Sequence, residues 1–211
     1  MLATAGLGLV VPGALAGQPV ALTLTGADGQ PAAGVAVFLA GVRAPFPAAP
    51  VVVDQRHEMF VPDLVIVPAG SDVQFTNSDP TSHHVYSFSK PNAFALPLYK
   101  GSDTLTQRFT SPGVVVLGCN IHDSMLGYIV VVDSTRSGIT DRHGRVVLPD
   151  VPAGTHPVHA WAPGLDRANP PGIGSVTVGA GPASAALRVA VATSAAAQKG
   201  RGGRALAGGD Y

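Results

Sequence analysis

The sequence VVVLGCNIHDSMLGYIVVV, residues 114–132, consists of two strongly apolar runs joined by a short polar loop. Both runs are rich in β-branched residues, which favour strands. The loop contains Cys119, the single cysteine of the chain, with His122 three residues later and Met125 six residues later. One cysteine excludes an intrachain disulfide, a four-cysteine zinc site and a cysteine-ligated iron–sulfur cluster. The stretch therefore predicts a loop at one end of a β-sandwich, carrying sulfur and imidazole donors.

The remainder of the chain predicts an all-β protein. Short β-branched runs recur between Gly, Pro, Asn and Asp residues, which is typical of a sandwich or barrel. The 26 Gly and 19 Pro residues among 211 supply the turns. The predicted strands are 20–24, 35–39, 63–67, 72–76, 84–88, 104–109, 114–117, 128–132, 145–148 and 186–190.

The charge balance excludes some classes of partner. Thirteen Lys and Arg residues balance 13 Asp and Glu residues, and 12% of the chain is charged. Without a net positive charge or a basic stripe, we expect no nucleic-acid binding and no polybasic membrane anchor. No apolar run reaches the ~18 residues of a membrane span. Docking to other proteins should depend only modestly on salt.

The two ends of the chain predict export and a flexible tail. Residues 1–16, MLATAGLGLVVPGALA, are apolar and end in a small-x-small pattern, which indicates a secretory signal peptide. They lack a Lys or Arg, and a buried first strand is the alternative. We expect a periplasmic protein, in which a free thiol is a liability unless it is occupied. Residues 194–211 have no apolar period and predict a flexible appendix.

The donors around Cys119 predict a copper site. A thiolate, two imidazoles and a weak thioether form the trigonal site that carries one electron between Cu(I) and Cu(II). The second imidazole comes from His83 or His84, and strand alternation favours His84. Zinc sites do not call for a methionine at this spacing. His57 could be a further ligand or a surface base, and a surface or hydrogen-bonded role is favoured. His143, His156 and His159 have no ligand spacing and are predicted to be structural.

Enzymatic activity is not expected. The ligand loop lacks a recognisable third group that would orient a general base for Cys–His catalysis. No Gly-rich motif follows a strand and opens a helix, so nucleotide binding has no support.

Two motifs in residues 44–133 resemble the cupredoxins, the plastocyanin and amicyanin family of type 1 copper proteins. Cys119-x-x-His122-x-x-Met125 followed by GYIVV looks like the short amicyanin-type ligand loop. Asn77 followed six residues later by HHV resembles the family's His-Asn-Val pattern. Plastocyanin-like proteins labelled methylamine utilization proteins share further stretches, among them LYKG at 98–101.

The resemblance implies a Greek-key β-sandwich with one copper per chain. His83, Cys119 and His122 match the equatorial ligands, and Met125 matches the axial one. The offset from Asn77 favours His83, with His84 as the alternative. Many relatives have an asparagine at the position of His84, and its side chain helps to link the two ligand loops. The resemblance therefore does not determine which residue makes that link in this chain.

The flanks resemble a second module. Residues 26–39 and 138–154, placed end to end, look like a carboxypeptidase regulatory-like (transthyretin-like) β-sandwich. We expect residues 17–43 and 137–193 to form the two parts of that sandwich, with a cupredoxin domain, 44–136, inserted between them. Surface loops tolerate such insertions at small entropic cost. Two sequential domains or one enlarged sandwich are the alternatives.

The function implied is a periplasmic electron carrier. Its partner would be a dehydrogenase, an oxidase or a cytochrome c, the chain would be a monomer, and the methylamine label does not establish a substrate. The His122 ring edge would be the electron port, with Ile121 and Leu126 as an apolar patch around it. The alternatives are a copper carrier or storage module that delivers copper to another protein, and a scaffold whose copper site is vestigial.

Overall fold

The computed structural model describes residues 17–43 and 50–191. The predicted signal peptide (1–16), the predicted tail (194–211) and part of the expected junction (44–49) lie outside the described residues. The described residues form sixteen strands and no helix, which confirms the all-β prediction. The strands are β1 Gln18–Thr25, β2 Ala36–Leu39, β3 Val51–Gln55, β4 Phe60–Val61, β5 Leu64–Pro68, β6 Ser71–Asn77, β7 Tyr86–Ser87, β8 Phe94–Ala95, β9 Leu105–Phe109, β10 Gly113–Gly118, β11 Leu126–Val132, β12 Ser137–Ile139, β13 Arg145–Val151, β14 Gly154–Trp161, β15 Gly172–Val178 and β16 Ala183–Arg188.

These strands form four sheets. Sheet 1 has the order β13-β1-β16, and sheet 2 the order β12-β2-β14-β15. Sheet 3 has the order β5-β11-β10-β7-β8, and sheet 4 the order β4-β3-β6-β9. Strands from the two ends of the described chain therefore combine in sheets 1 and 2, while sheets 3 and 4 are built from the strands between them. Among the described residues, no helix has the length and hydropathy needed to cross a membrane.

The alternation of side chains shows how the sheets are stacked. Along β2, Val37 and Leu39 point into one apolar core while Ala36 and Phe38 point into another. Along β11, alternate residues likewise divide between two cores. Because successive side chains of a strand face opposite sides of a sheet, sheets 2 and 3 are both covered on two faces. The outer core lies between sheets 1 and 2, the central core between sheets 2 and 3, and the site core between sheets 3 and 4.

One predicted strand is much shorter than the sequence suggested. Residues 84–88 were expected to be extended, but β7 contains only Tyr86 and Ser87. The residues before it bend away because His83 pairs with Tyr99 in an isolated bridge, in which each backbone N–H donates to the other residue's carbonyl at 3.0 and 3.1 Å. This departure from the sheet turns His83 towards the end of the sandwich formed by sheets 3 and 4.

Candidate metal centre

The polar loop of residues 119–125 joins β10 to β11 at that end of the sandwich. The two strands pair antiparallel down to Gly118 and Leu126, which fixes both ends of the loop. Within it, the N–H of Met125 donates to the carbonyl of His122 at 3.0 Å, a turn that keeps the loop short. Cys119 is 3% exposed and Met125 2% exposed, and both belong to the site core.

A second connection, between β6 and β7, brings His83 against this loop. Its side chain is fully buried, and its Nδ1 lies 3.8 Å from Sγ of Cys119 and 3.2 Å from Nδ1 of His122. The donor atoms of these three residues all lie within 4.8 Å of one another. They are the one group of three or more His, Cys, Asp or Glu in the described ranges that could hold a metal ion.

The orientation of the two rings fits a cation. Nε2 of His83 lies 2.8 Å from a carboxylate oxygen of Asp79, and Nε2 of His122 lies 3.5 Å from one of Glu58. A carboxylate accepts hydrogen bonds and cannot donate them, so the proton of a neutral His83 ring belongs on Nε2. Its Nδ1 then carries a lone pair that faces Sγ of Cys119 and Nδ1 of His122. The two carboxylates behind the rings place negative charge where it favours a cation between the rings.

The separations also fit a trigonal site. A metal about 2.0 Å from each nitrogen and about 2.3 Å from the sulfur would separate the nitrogens by about 3.5 Å and nitrogen from sulfur by about 3.7 Å. The corresponding distances here are 3.2 Å and 3.8 Å. Two imidazoles, one thiol and a nearby buried thioether suit copper better than a hard, oxygen-preferring cation.

His84 occupies a different position from His83. Its backbone N–H points at Sγ of Cys119 across 3.5 Å, while its ring stacks on Tyr86 with a centroid distance of 5.6 Å. The ring nitrogen Nδ1 of His84 is buried without a hydrogen-bond partner in the described part of the chain. The structure thus places the ring of His83 in the cluster and the backbone of His84 on the sulfur.

Asp79 is a site residue that the sequence patterns missed. Besides His83, its carboxylate accepts the backbone N–H groups of His57 at 2.7 Å and Glu58 at 3.0 Å. Burial opposes its ionisation, but these two hydrogen bonds and the contact with His83 outweigh burial, so the pKa of Asp79 lies below its usual value. The signal in the sequence was an aspartate four residues before a candidate histidine ligand.

Buried polar contacts around Tyr99 also fix the backbone of His83. Tyr99, whose main chain pairs with His83, has its hydroxyl in contact with Nε2 of the fully buried Gln55. Asn77 donates to the carbonyls of Tyr99 and Thr81 at 3.0 and 2.9 Å. Desolvation raises the pKa of Tyr99 above its usual value, so the hydroxyl stays protonated. These contacts leave the segment that carries His83 little freedom to move.

The other histidines lie outside the cluster. His143 accepts a hydrogen bond from Arg142, His156 contacts the carbonyl of Pro152, and His159 contacts the carbonyl of Pro170 while stacking on Phe38. His57 lies next to Glu58 in the turn between β3 and β4, and its backbone N–H is held by Asp79.

We expect Asp79→Asn to destabilise the metal-free protein in a pH-dependent way. Because the pKa is lowered on folding, the carboxylate stabilises the fold above the unfolded value near 3.8, and this stabilisation disappears as the pH falls through the folded value. At pH 7 the loss should be about 1–3 kcal/mol. Thermal unfolding from pH 7 to pH 2 measures it.

The matched control for this experiment is Asp72→Asn. Asp72 is an exposed carboxylate 3.4 Å from Arg108, and such surface pairs contribute about 0–1 kcal/mol. The difference between Asp79→Asn and the wild type should shrink as the pH falls below 3.8 and through the lower folded pKa of Asp79, whereas a gap that stays constant over the whole pH range would contradict the assignment.

Part of the chain is similar to several solved structures. No family model and no curated protein matches the chain. Among solved structures, it is similar to a Cu-containing nitrite reductase (NirK) from Thermus scotoductus SA-01, with 29% identity, a TM-score of 0.38, and coverage of 43% of this chain and 24% of the reductase. The chain thus spans about a quarter of that enzyme's length.

Two smaller proteins are matched over most of their own length. A purple cupredoxin from Nitrosopumilus maritimus has 20% identity and a TM-score of 0.35, covering 38% of this chain and 98% of that one. A reduced amicyanin variant has 26% identity and a TM-score of 0.37, covering 42% of this chain and 91% of that one. Sheets 3 and 4 form a β-sandwich with the His83–Cys119–His122 cluster at one end.

Proposed function

We propose that this protein is a periplasmic type 1 copper protein that carries single electrons between redox partners. One copper ion per chain would be held by His83, Cys119 and His122, with the thioether of Met125 as the axial donor. The observation that carries the proposal is the convergence of the three donor atoms within 4.8 Å, with Nδ1 of both rings turned inward. Copper supplies a reversible one-electron couple between Cu(I) and Cu(II).

The residues around the site prepare it for rapid electron transfer. The bridge to Tyr99 holds the backbone of His83, and two strand ends hold the loop of Cys119. Ligands that are already in place need little rearrangement when the charge of the metal changes. Burial of His83, Cys119 and Met125 keeps water away from the metal, so the chain alone would catalyse no reaction on a substrate.

The proposed electron port is the ring of His122. Its side chain is 19% exposed, whereas that of His83 is 0% exposed, so an electron has its shortest route to a partner through His122. Ile121 beside it is 52% exposed and suits weak, short-lived docking. Leu126 is only half-buried and contributes less surface. A dehydrogenase, an oxidase or a cytochrome c would be the partner of this monomeric carrier.

Burial of the ligands favours electron transfer over delivery of copper to another protein. A carrier that hands over its metal needs ligands that an acceptor can replace one after another. Here two of the three proposed equatorial ligands are at most 3% exposed, and the axial candidate is 2% exposed. Hand-over would require the loop of residues 119–125 to open.

The pairing of strands supports our proposal for domain organisation. β1 pairs with β13 and with β16, so the two ends of the described chain meet in one sheet. This pairing is what an inserted cupredoxin domain within a transthyretin-like sandwich requires. The outer sandwich would then serve as a rigid mount for the copper domain.

Copper titration of the purified protein tests the proposed function. We expect one equivalent of Cu(II) to give an intense visible thiolate-to-copper band and an EPR spectrum with narrow hyperfine splitting. Repeated reduction and reoxidation should retain the copper in the presence of a Cu(I) chelator. A colourless, tetragonal Cu(II) complex would contradict the proposal, and rapid loss of Cu(I) to the chelator would favour copper delivery instead.

A further inference from the structure

The turn between β3 and β4 has an unusual backbone for its sequence. Arg56 and Met59 exchange backbone hydrogen bonds at 3.0 and 3.2 Å, and the two residues between them, His57 and Glu58, have φ angles of 58° and 55°. Two-residue turns with both central residues at positive φ favour Asn-Gly, because other side chains crowd the backbone there. The sequence His-Glu is a costly choice for this turn.

Asp79 holds the turn in this conformation. Its two carboxylate oxygens accept the N–H groups of His57 and Glu58, and one of them also contacts Nε2 of His83. The same carboxylate therefore fixes both a candidate ligand and the strained turn. Strained backbone that its surroundings hold in place is found preferentially at functional sites.

The result of this arrangement is the position of the Glu58 side chain. Its carboxylate lies 3.5 Å from Nε2 of His122, the ring that forms the proposed electron port. Glu58 is the one glutamate among the 13 acidic residues of the sequence. An aspartate is one methylene shorter and would not extend as far from the same turn. The strained turn and the longer side chain together bring a negative charge to the outer nitrogen of His122.

We propose that Glu58 is a positioning residue for His122 that lowers the reduction potential of the copper site. The inference rests on the proposed function. A carboxylate beside the outer nitrogen would favour the Nε2–H tautomer, leave the Nδ1 lone pair for the metal and make the ring a stronger donor. A stronger donor and a nearby negative charge both stabilise Cu(II) more than Cu(I). Because the Glu58 side chain is 58% exposed, salt should weaken the effect.

Glu58→Gln tests the proposal, because it keeps the shape and a hydrogen-bond acceptor but removes the charge. We expect Cu(II) binding to weaken about tenfold relative to Cu(I) binding, which raises the one-electron reduction potential by about 59 mV. The shift should shrink as the ionic strength rises. The matched control is Asp123→Asn, which removes the same charge from an exposed residue adjacent in sequence to His122.

Equal shifts in the two variants would overturn the proposal, since they would indicate a general effect of net charge. No shift in Glu58→Gln would overturn it as well. A measurement on the metal-free protein gives independent evidence: at one fixed pH, nitrogen NMR should show that Glu58→Gln lowers the population of the Nε2–H tautomer of His122. Should the wild type bind copper without a thiolate band, the proposed function fails; a coloured wild type with an unshifted variant overturns only the role of Glu58.

Discussion

Replacing Cys119 by serine is expected to abolish the visible band of the copper-loaded protein and to weaken Cu(II) binding by at least about 100-fold, the upper end of the loss seen when an outer partner of a ligand is removed. Sγ of Cys119 is the one sulfur among the three clustered donor atoms. A serine hydroxyl stays protonated at neutral pH and is a poor ligand for Cu(I). Absorption spectra and a competition titration measure the two effects.

The Cys119→Ser variant should still fold. A hydroxyl in the site core costs about 1–3 kcal/mol, less than the total stability of a typical domain, and far-UV circular dichroism checks this. The matched control is Met125→Leu, which keeps the volume of a residue buried in the same core. It should retain the thiolate band. A copper band that survives in Cys119→Ser, or that vanishes in Met125→Leu, would contradict the proposed roles.

The sequence places one side of the candidate site close together because that side is local. Cys119, His122 and Met125 lie in one loop, and the apolar runs on both sides became β10 and β11. Donors that are three residues apart in one short loop stay close together however the rest of the chain packs. The prediction of copper rests on the types of donor and needs no knowledge of the fold.

The choice between His83 and His84 required tertiary structure. Strand alternation favoured His84, but the residues before Tyr86 leave the sheet, so alternation does not apply to them. The isolated bridge to Tyr99 sets the direction of His83, and Tyr99 is distant in sequence. No local pattern encodes that pairing.

The carboxylates behind the rings were missed for a related reason. Glu58 lies in a turn far from His122 in sequence, and its position depends on positive φ angles that a His-Glu pair does not predict. Asp79 acts through backbone N–H groups of another connection. The sequence offered one signal for each residue. Glu58 is the single glutamate of the chain, and Asp79 lies four residues before His83.

Some strands escaped prediction because their sequences are irregular. β14 contains Pro157, with His156 and His159 on either side, and these residues interrupt the apolar pattern. Nevertheless β14 lies inside sheet 2, between β2 and β15. The carbonyl of Pro157 accepts the N–H of Ala40 at 3.0 Å, so the strand is held although proline has no N–H to donate.

The central core connects sheet 2 to sheet 3, which carries the loop of Cys119. Trp161 at the end of β14 is 1% exposed and packs against Tyr128 of β11, with a centroid distance of 5.1 Å. On the other face of β11, Ile129 and Val131 belong to the site core. Packing lost at Trp161 therefore acts on a strand that also holds one end of the loop of residues 119–125.

Trp161→Ala should lower the free energy of unfolding by about 3–5 kcal/mol, because it removes the largest side chain of the central core. Trp161→Phe is the matched control: it loses less volume and removes Nε1, which is buried without a hydrogen-bond partner in the described chain, so its cost should be well below half as large. Denaturant unfolding followed by far-UV circular dichroism measures both. Folded Trp161→Ala should keep the copper band, because its contacts lie behind the site core. Equal losses of unfolding free energy in the two variants would mean that the tryptophan ring does not hold sheets 2 and 3 together.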